Sequence, residues 1–162
     1  MSGLINIQPA QFPKGEVADV QNYVVEAATV LLRGDPVDLA AGELVVTTSP
    51  VGAGELVGFT LEPTTAAGTS SNPSGLLGVA KAKNSQIFAG QITSAAGVAA
   101  LTDLSGVAIG QAVGCVKSTL VGAYLNEWLF LVGGTGFTVT KIDDNLNLVW
   151  CQAILATLNP VV

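Results

Sequence analysis

Beyond Glu26 the apolar residues fall in short runs, each closed by glycine, proline or aspartate. Val30–Arg33 stops at Gly34-Asp35-Pro36, and Leu44–Thr48 is parted from Leu56–Leu61 by Pro50 to Gly54. Leu76–Ala82, Gln86–Thr93, Val98–Leu104, Ala112–Leu120, Trp128–Val132, Phe137–Ile142 and Leu146–Leu155 follow. Runs of this length predict strands, and their succession predicts an all-β fold: one β-sandwich, jelly-roll-like or barrel domain over residues 26–162. The clearest hairpin is Lys141 to Leu148, where an Asp/Asn-rich turn separates two alternating runs. Glu62 to Gly75 is small and polar and predicts a long exposed loop. Asp103 to Ala112 is ambiguous and has room for one helical turn capped by Asp103. Ala41-Gly42-Glu43-Leu44-Val45 returns as Ala53-Gly54-Glu55-Leu56-Val57, too close for a solenoid repeat, so it reads as two successive turn-then-strand units.

Residues 1–25 follow another pattern. Pro9 and Pro13 disrupt any helix, and Leu4, Ile5, Ile7 and Phe12 keep no long period. The segment reads as an extended N-terminal arm, with a first edge strand of the domain as the alternative. An extended chain of about twenty residues spans up to ~65 Å, enough to reach a neighbouring subunit. Leu4, Ile5, Ile7 and Phe12 are then its candidate anchors, Phe12 being the largest.

Composition narrows the partners. Twelve acidic against six basic residues give a net charge of -6, the wrong sign for holding a phosphate backbone, so nucleic acid is excluded as an expected partner. Charged residues make up only 11% of a chain that is 49% apolar, which implies a surface that something covers. No long apolar stretch is unbroken; the nearest, Leu120 to Val132, is interrupted by Asn126 and Glu127. Two Trp and two Tyr are too few for the aromatic girdles of a membrane β-barrel. The opening residues lack a basic stretch followed by an apolar one, so assembly in a cytoplasm is expected.

Candidate chemistry is sparse. There is no histidine, which removes Ser-His-Asp and Cys-His catalysis and the histidine-based metal sites. Cys115 and Cys151 lie in apolar, β-branched settings and read as buried thiols, a disulfide between them remaining open. Lys117 shares a strand side with Cys115 but reads as an exposed lysine. Asp35 with Asp38, and Asp143 with Asp144, are turn carboxylates, and Glu43 and Glu55 read as solvated charges at strand entries. Asp143-x-Asn145-x-Asn147 begins like a calcium loop but has Leu148 where glycine is needed and Ile154 where the bidentate glutamate belongs. Gly52-Ala53-Gly54 and Gly134-Thr135-Gly136 complete no dinucleotide fingerprint and lead into strands. Asn72-Pro73-Ser74 is barred from glycosylation by its proline. No catalytic residue, metal or cofactor is expected, and the chain reads as a structural protein, not an enzyme.

The segment Leu31 to Thr93 carries a resemblance. Gly34-Asp35-Pro36-Val37-Asp38-Leu39, Gly54-Glu55-Leu56-Val57-Gly58, Gly75-Leu76-Leu77-Gly78-Val79-Ala80 and Ile87-Phe88-Ala89-Gly90-Gln91-Ile92 give a succession of glycine turns and short β runs. This resembles the decoration, or cement, proteins of tailed-bacteriophage capsids, although the chain after Val98 departs from the pattern. The resemblance implies a viral structural protein on the capsid exterior of the virion. Its partner would be the major capsid protein, and it would assemble as a homotrimer. The four arm residues would then bind the capsid. The alternative is a receptor- or carbohydrate-binding β module of a phage fibre or spike, using the Glu62–Gly75 loop, Tyr124, Trp128 and Trp150, though aliphatic neighbours favour burial of both tryptophans. A shell-forming subunit is a third reading.

Overall fold

In the computed structural model, residues 7–11, 19–83, 86–95, 98–118 and 128–160 are described, and among them every regular element is a strand apart from one 3₁₀ turn at Leu155–Thr157. The all-β expectation holds. The strands are β1 (Gln8–Gln11), β2 (Val20–Tyr23), β3 (Pro36–Ala40), β4 (Glu43–Val46), β5 (Gly58–Thr60), β6 (Thr64–Ala66), β7 (Thr69–Ser70), β8 (Leu77–Lys81), β9 (Ile87–Gly90), β10 (Ile92–Thr93), β11 (Ala112–Lys117), β12 (Trp128–Val132), β13 (Phe137–Asp143) and β14 (Leu148–Ala153).

These form a seven-stranded sheet of order β1-β9-β14-β13-β11-β12-β10, a five-stranded sheet of order β2-β8-β5-β3-β4, and the small β6-β7 hairpin. Both large sheets curl back on themselves. β9 and β10 are one bent strand, parted only by Gln91: β9 pairs with β14, and β10 pairs in parallel with β12. In the other sheet β2 pairs with β8, while Val25, two residues on, bridges in parallel to Leu44 of β4. Hydrogen bonds from Glu26 N–H to the Leu44 carbonyl (3.0 Å) and from Leu44 N–H to the Val24 carbonyl (2.8 Å) complete that closure. Closure leaves fewer open edges on which other chains could pair.

The two closed sheets have the same topology. In chain order the first barrel uses β2, β3, β4, β5 and β8, and the second uses β9/β10, β11, β12, β13 and β14. Around each barrel the order is first, fifth, fourth, second, third, and back to the far half of the first. The registers also match residue for residue. Val37 opposite Val46 and Leu39 opposite Leu44 correspond to Val113 opposite Val132 and Cys115 opposite Phe130. Val37 opposite Gly58 corresponds to Val113 opposite Phe137, and Phe59 opposite Ala80 to Thr138 opposite Gln152. Tyr23 opposite Leu77 corresponds to Gly90 opposite Val149.

The entry to the second strand is repeated in detail. Gly34 and Gly110 hold φ of 86° and 87°, a left-handed turn that glycine adopts without steric cost. Each donates its N–H across the barrel, to the carbonyls of Thr60 and Val139. The next side chain then accepts a backbone N–H three residues back: Asp35 from Leu32 at 2.8 Å, and Gln111 from Ala108 at 2.9 Å. The chain is thus a tandem of two like barrels, a relation the short repeat at Ala41 and Ala53 does not express.

The inside of the first barrel is aliphatic, with Val25, Leu31, Val37, Leu44, Val57, Leu77 and Val79 buried together. The second is filled by rings: Phe88, Trp128, Phe130 and Phe137 lie with Val113, Cys115, Val139, Val149 and Cys151. The barrels are joined because Phe59 projects from the outer face of the first into the second, its ring 4.4 Å from Phe88 and 6.3 Å from Phe137. Ala80, Ala82 and Leu56 follow it into the same cluster, so the two barrels share one core.

Several local expectations change. Glu62–Gly75 is not a long free loop: it holds the β6-β7 hairpin, tied down by Thr64 N–H to the Leu31 carbonyl and Gly68 N–H to the Thr29 carbonyl. Val30–Arg33 is a turn-containing loop that buries Leu31. Val98–Leu104 forms only a single bridge, Ala100 to Thr93. Asp103 caps no helix; its carboxylate accepts the Ser105 N–H at 2.9 Å within a loop. The predicted hairpin at Lys141–Leu148 is β13-β14, its turn held by Asp143 accepting the N–H groups of Asn145 and Leu146.

The stretch expected as a free arm contributes, in its described parts, β1 paired with β9 and β2 paired with β8. Its extended conformation is used on the domain's own sheets. Ile7 is fully buried, beside Gly90 and Phe130.

Candidate docking surface

Past β14 the chain crosses from the second barrel to the first. Ile154 N–H donates to the Gly136 carbonyl at 2.9 Å, as Ala82 N–H donates to the Val57 carbonyl in the first barrel. The buried Thr157 hydroxyl also donates to the Gly136 carbonyl, at 2.8 Å. Residues 156–159 then run beside 54–56: Gly54 and Leu56 donate to the carbonyls of Ala156 and Thr157, Asn159 N–H donates to the Leu56 carbonyl at 2.8 Å, and Leu56 bridges Leu158 in parallel. The Asn159 side chain donates to Asp38 at 2.6 Å. So many backbone bonds fix this crossing that the side chains at its apex have no freedom to fold inward.

Those side chains are Ile154 and Leu155, 43% and 70% exposed. On one side lies a cleft of about 450 Å³ between Leu56, Val57, Ala82, Leu155, Leu158 and Pro160, with Lys81 and Lys83 at its edge. On the other is a shallower hollow of about 370 Å³ formed by Thr138, Gln152, Ala153, Ile154 and Leu155. The lysines are anchored to the start of the first barrel. Lys83 pairs with Asp19 at 2.5 Å, which lowers the Asp19 pKa, and Lys81 donates to Gln21 at 3.1 Å. A ridge of two aliphatic residues between two hollows, rimmed by tethered cations, suits contact with another protein surface.

The residues singled out from the sequence are not gathered into a site. Ile7 is a core residue, and Leu4, Ile5 and Phe12 lie outside the described residues, as does Tyr124. Trp128 is buried as expected, but Trp150 is only half-buried, on the outer side of β14, with the Lys141 ammonium 4.6 Å from its ring centre. Cys115 and Cys151 are free and buried inside the second barrel, where burial pushes both thiol pKa values up and keeps them protonated. Glu55, expected as a solvated charge, instead accepts from the Thr48 hydroxyl, Thr48 N–H and Gly52 N–H, and the Thr48 hydroxyl bond leads in lowering its pKa. Among the described residues no three of His, Cys, Asp or Glu converge as metal ligands, and no helix is long and apolar enough to cross a membrane.

Ile154 and Leu155 were missed because they sit at the end of a run read as one strand. The signal was present: Val149, Cys151 and Ala153 alternate inward, so Ile154 occupies an outward position where a polar residue is the norm, and Leu155 follows it directly. No protein-family model matches the chain, and no curated protein matches it significantly.

Proposed function

We propose that the protein is a structural component that works by docking against other protein subunits, and that it decorates a tailed-bacteriophage capsid, bridging and cementing neighbouring copies of the major capsid protein from outside. The observation that carries this reading is the rigidly held pair Ile154 and Leu155, exposed between two hollows on a chain with few charges. Burying such a ridge against a partner gains about 25 cal/mol per Å² of apolar area removed from water. The shared core of the two barrels makes the body stiff, as a cement requires, since a compliant body would transmit little resistance to outward pressure. Homotrimerisation, implied by the resemblance, adds valency: several weak contacts made at once hold far more tightly than one. No step of this role needs a metal, a cofactor or bond chemistry.

Co-sedimentation with empty phage heads that lack their decoration protein tests the reading. Expected is saturable binding and a rise in the temperature at which the heads open. Purified protein that stays in the supernatant with every head type offered, while remaining folded, would overturn it.

A further inference from the structure

Each barrel opens with a bent strand whose two edges have different neighbours. In the second barrel one edge of β9 pairs with β14. The other is covered in two parts: β1 lies antiparallel over residues 87–89, and β12 takes the continuation at Ile92 and Thr93. By register, Ile87, Phe88, Ala89 and Gly90 correspond to Val20, Gln21, Asn22 and Tyr23. In the first barrel β8 pairs with one edge of β2, and β4 takes the continuation at Val25. The place of β1 has no equivalent: among the described residues nothing pairs with residues 20–22 on the side away from β8.

That edge is suited to accept a strand. Lys81 N–H donates to the Asp19 carbonyl at 2.8 Å, which sets the phase of the β2-β8 ladder: the backbone groups of Gln21 and Tyr23 face β8, and those of Val20 and Asn22 point outward. β2 has no charge, no proline and no bulge, whereas β1, the outer strand of the other sheet, is blunted by Pro9 and by a register shift between Pro9 and Gln11. Val20, Asn22 and Val24 occupy alternate positions and all three are exposed, so an added strand would cover apolar surface as well as complete backbone bonds. Where Gly90 leaves room for Ile7, the first barrel has Tyr23, whose side chain packs on that barrel's own core. No inserted anchor is needed there, and the backbone edge is what stays open.

We propose that the open edge of β2 binds an extended segment of the capsid subunit, added as an antiparallel strand across residues 20–22 in the way that β1 is added to β9. The inference rests on the capsid reading and names a second way in which that partner is held. Two observations make the occupant a foreign one. Each copy's own β1 is engaged on β9, with the neighbouring Ile7 fully buried, so a second copy has no such strand to lend. The start of β2 also borders the larger cleft: Asp19 holds Lys83 and Gln21 holds Lys81, both at the cleft's edge, so a partner seated there already lies beside β2. The segment it offers is free of proline where it faces Val20 and Asn22, and carries an apolar side chain against Val20.

Residue-resolved hydrogen exchange, read by mass spectrometry on the full chain free and bound to empty heads that lack their decoration protein, tests it. In the free protein the amides of Val20 and Asn22 are expected to exchange fast beside the protected amides of Gln21 and Tyr23, and on heads to slow by about tenfold or more. Asn22→Pro removes the outward N–H and fills the edge without taking a bond from β8. It is expected to weaken head binding about tenfold, the worth of one or two backbone hydrogen bonds. Val20→Lys keeps the backbone intact but sets a charge on the edge, and is expected to weaken binding less. Melting curves confirm that each variant folds. Heads bound with the Val20 and Asn22 amides still fast, or bound as well by both folded variants as by wild type, overturn the inference and leave the capsid reading standing. Folded wild type that binds no heads overturns the two together. Chains that pair in solution, and lose that pairing in Asn22→Pro, overturn the inference by giving the edge to a second copy.

Discussion

The two barrels share a backbone plan and differ in what fills and covers them. The first encloses aliphatic side chains and has Gly58 at the position where the second has Phe137; the second encloses a cluster in which Phe130 and Phe137 meet edge to face at 5.5 Å. On the outer face the order reverses, with Phe59 on the first and Thr138 on the second. One barrel thus has its large residue on the outside and the other on the inside, and the fit between them follows. A ladder of backbone hydrogen bonds sets where side chains point, while residue volume at each point sets which surface becomes an interface.

The comparison breaks most sharply at its asymmetric position. Phe59→Ala removes a ring buried against Phe88 and Phe137 and is expected to cost about 3–5 kcal/mol in urea unfolding, whereas Thr138→Ala at the equivalent site stays within ~0.5 kcal/mol. Equal losses would mean that the outer faces are not distinguished as described. The symmetric position sharpens the same point at smaller scale. Gly34→Ala and Gly110→Ala each place a Cβ in left-handed backbone and are expected to cost about 1–2 kcal/mol apiece, by matched amounts. A large cost at one and none at the other would show that the repeated turn is not under the same constraint.

The smallest effect concerns a device of the first barrel, the loop locked by Glu55. Its pKa is lowered from 4.5, so its contribution is present above that value and is lost as pH falls through the lower folded value. Glu55→Gln and wild type are therefore expected to differ in stability at neutral pH and to converge in acid, read from melting temperatures across pH. A gap that widens in acid would mean that another group holds the loop.

Class and punctuation were legible in the sequence. Gly34, Gly42 and Gly54 were read as turns and all hold positive φ, and Lys141 to Leu148 was read as a hairpin and is one. The duplication was not legible, because equivalence lies in strand register while the joining segments differ: Thr47–Val57 links the third and fourth strands of the first barrel, and Gly133–Gly136 those of the second. Few side chains are shared apart from Gly34 with Gly110, Val37 with Val113 and Val46 with Val132, and the last pair is spaced differently from the first two, so no fixed spacing recurs along the chain. Barrel closure escaped for a related reason. Val25 and Ile92 belong to bent strands whose two halves have different neighbours, and hydrophobic periodicity carries no record of which strand lies alongside. The docking ridge was hidden in a run that looked like one more strand.

The crossing at Thr157 also bears on how the protein is made. Leu56 N–H, and that of Gly54 beside it, find their partners on Thr157 and Ala156. A chain emerging from the ribosome presents the first barrel early, yet that barrel keeps these groups unpaired, and Phe59 uncovered, until the second has followed and the crossing has been synthesised. The seam along the first barrel can therefore be completed only after residues 156–159 have been made.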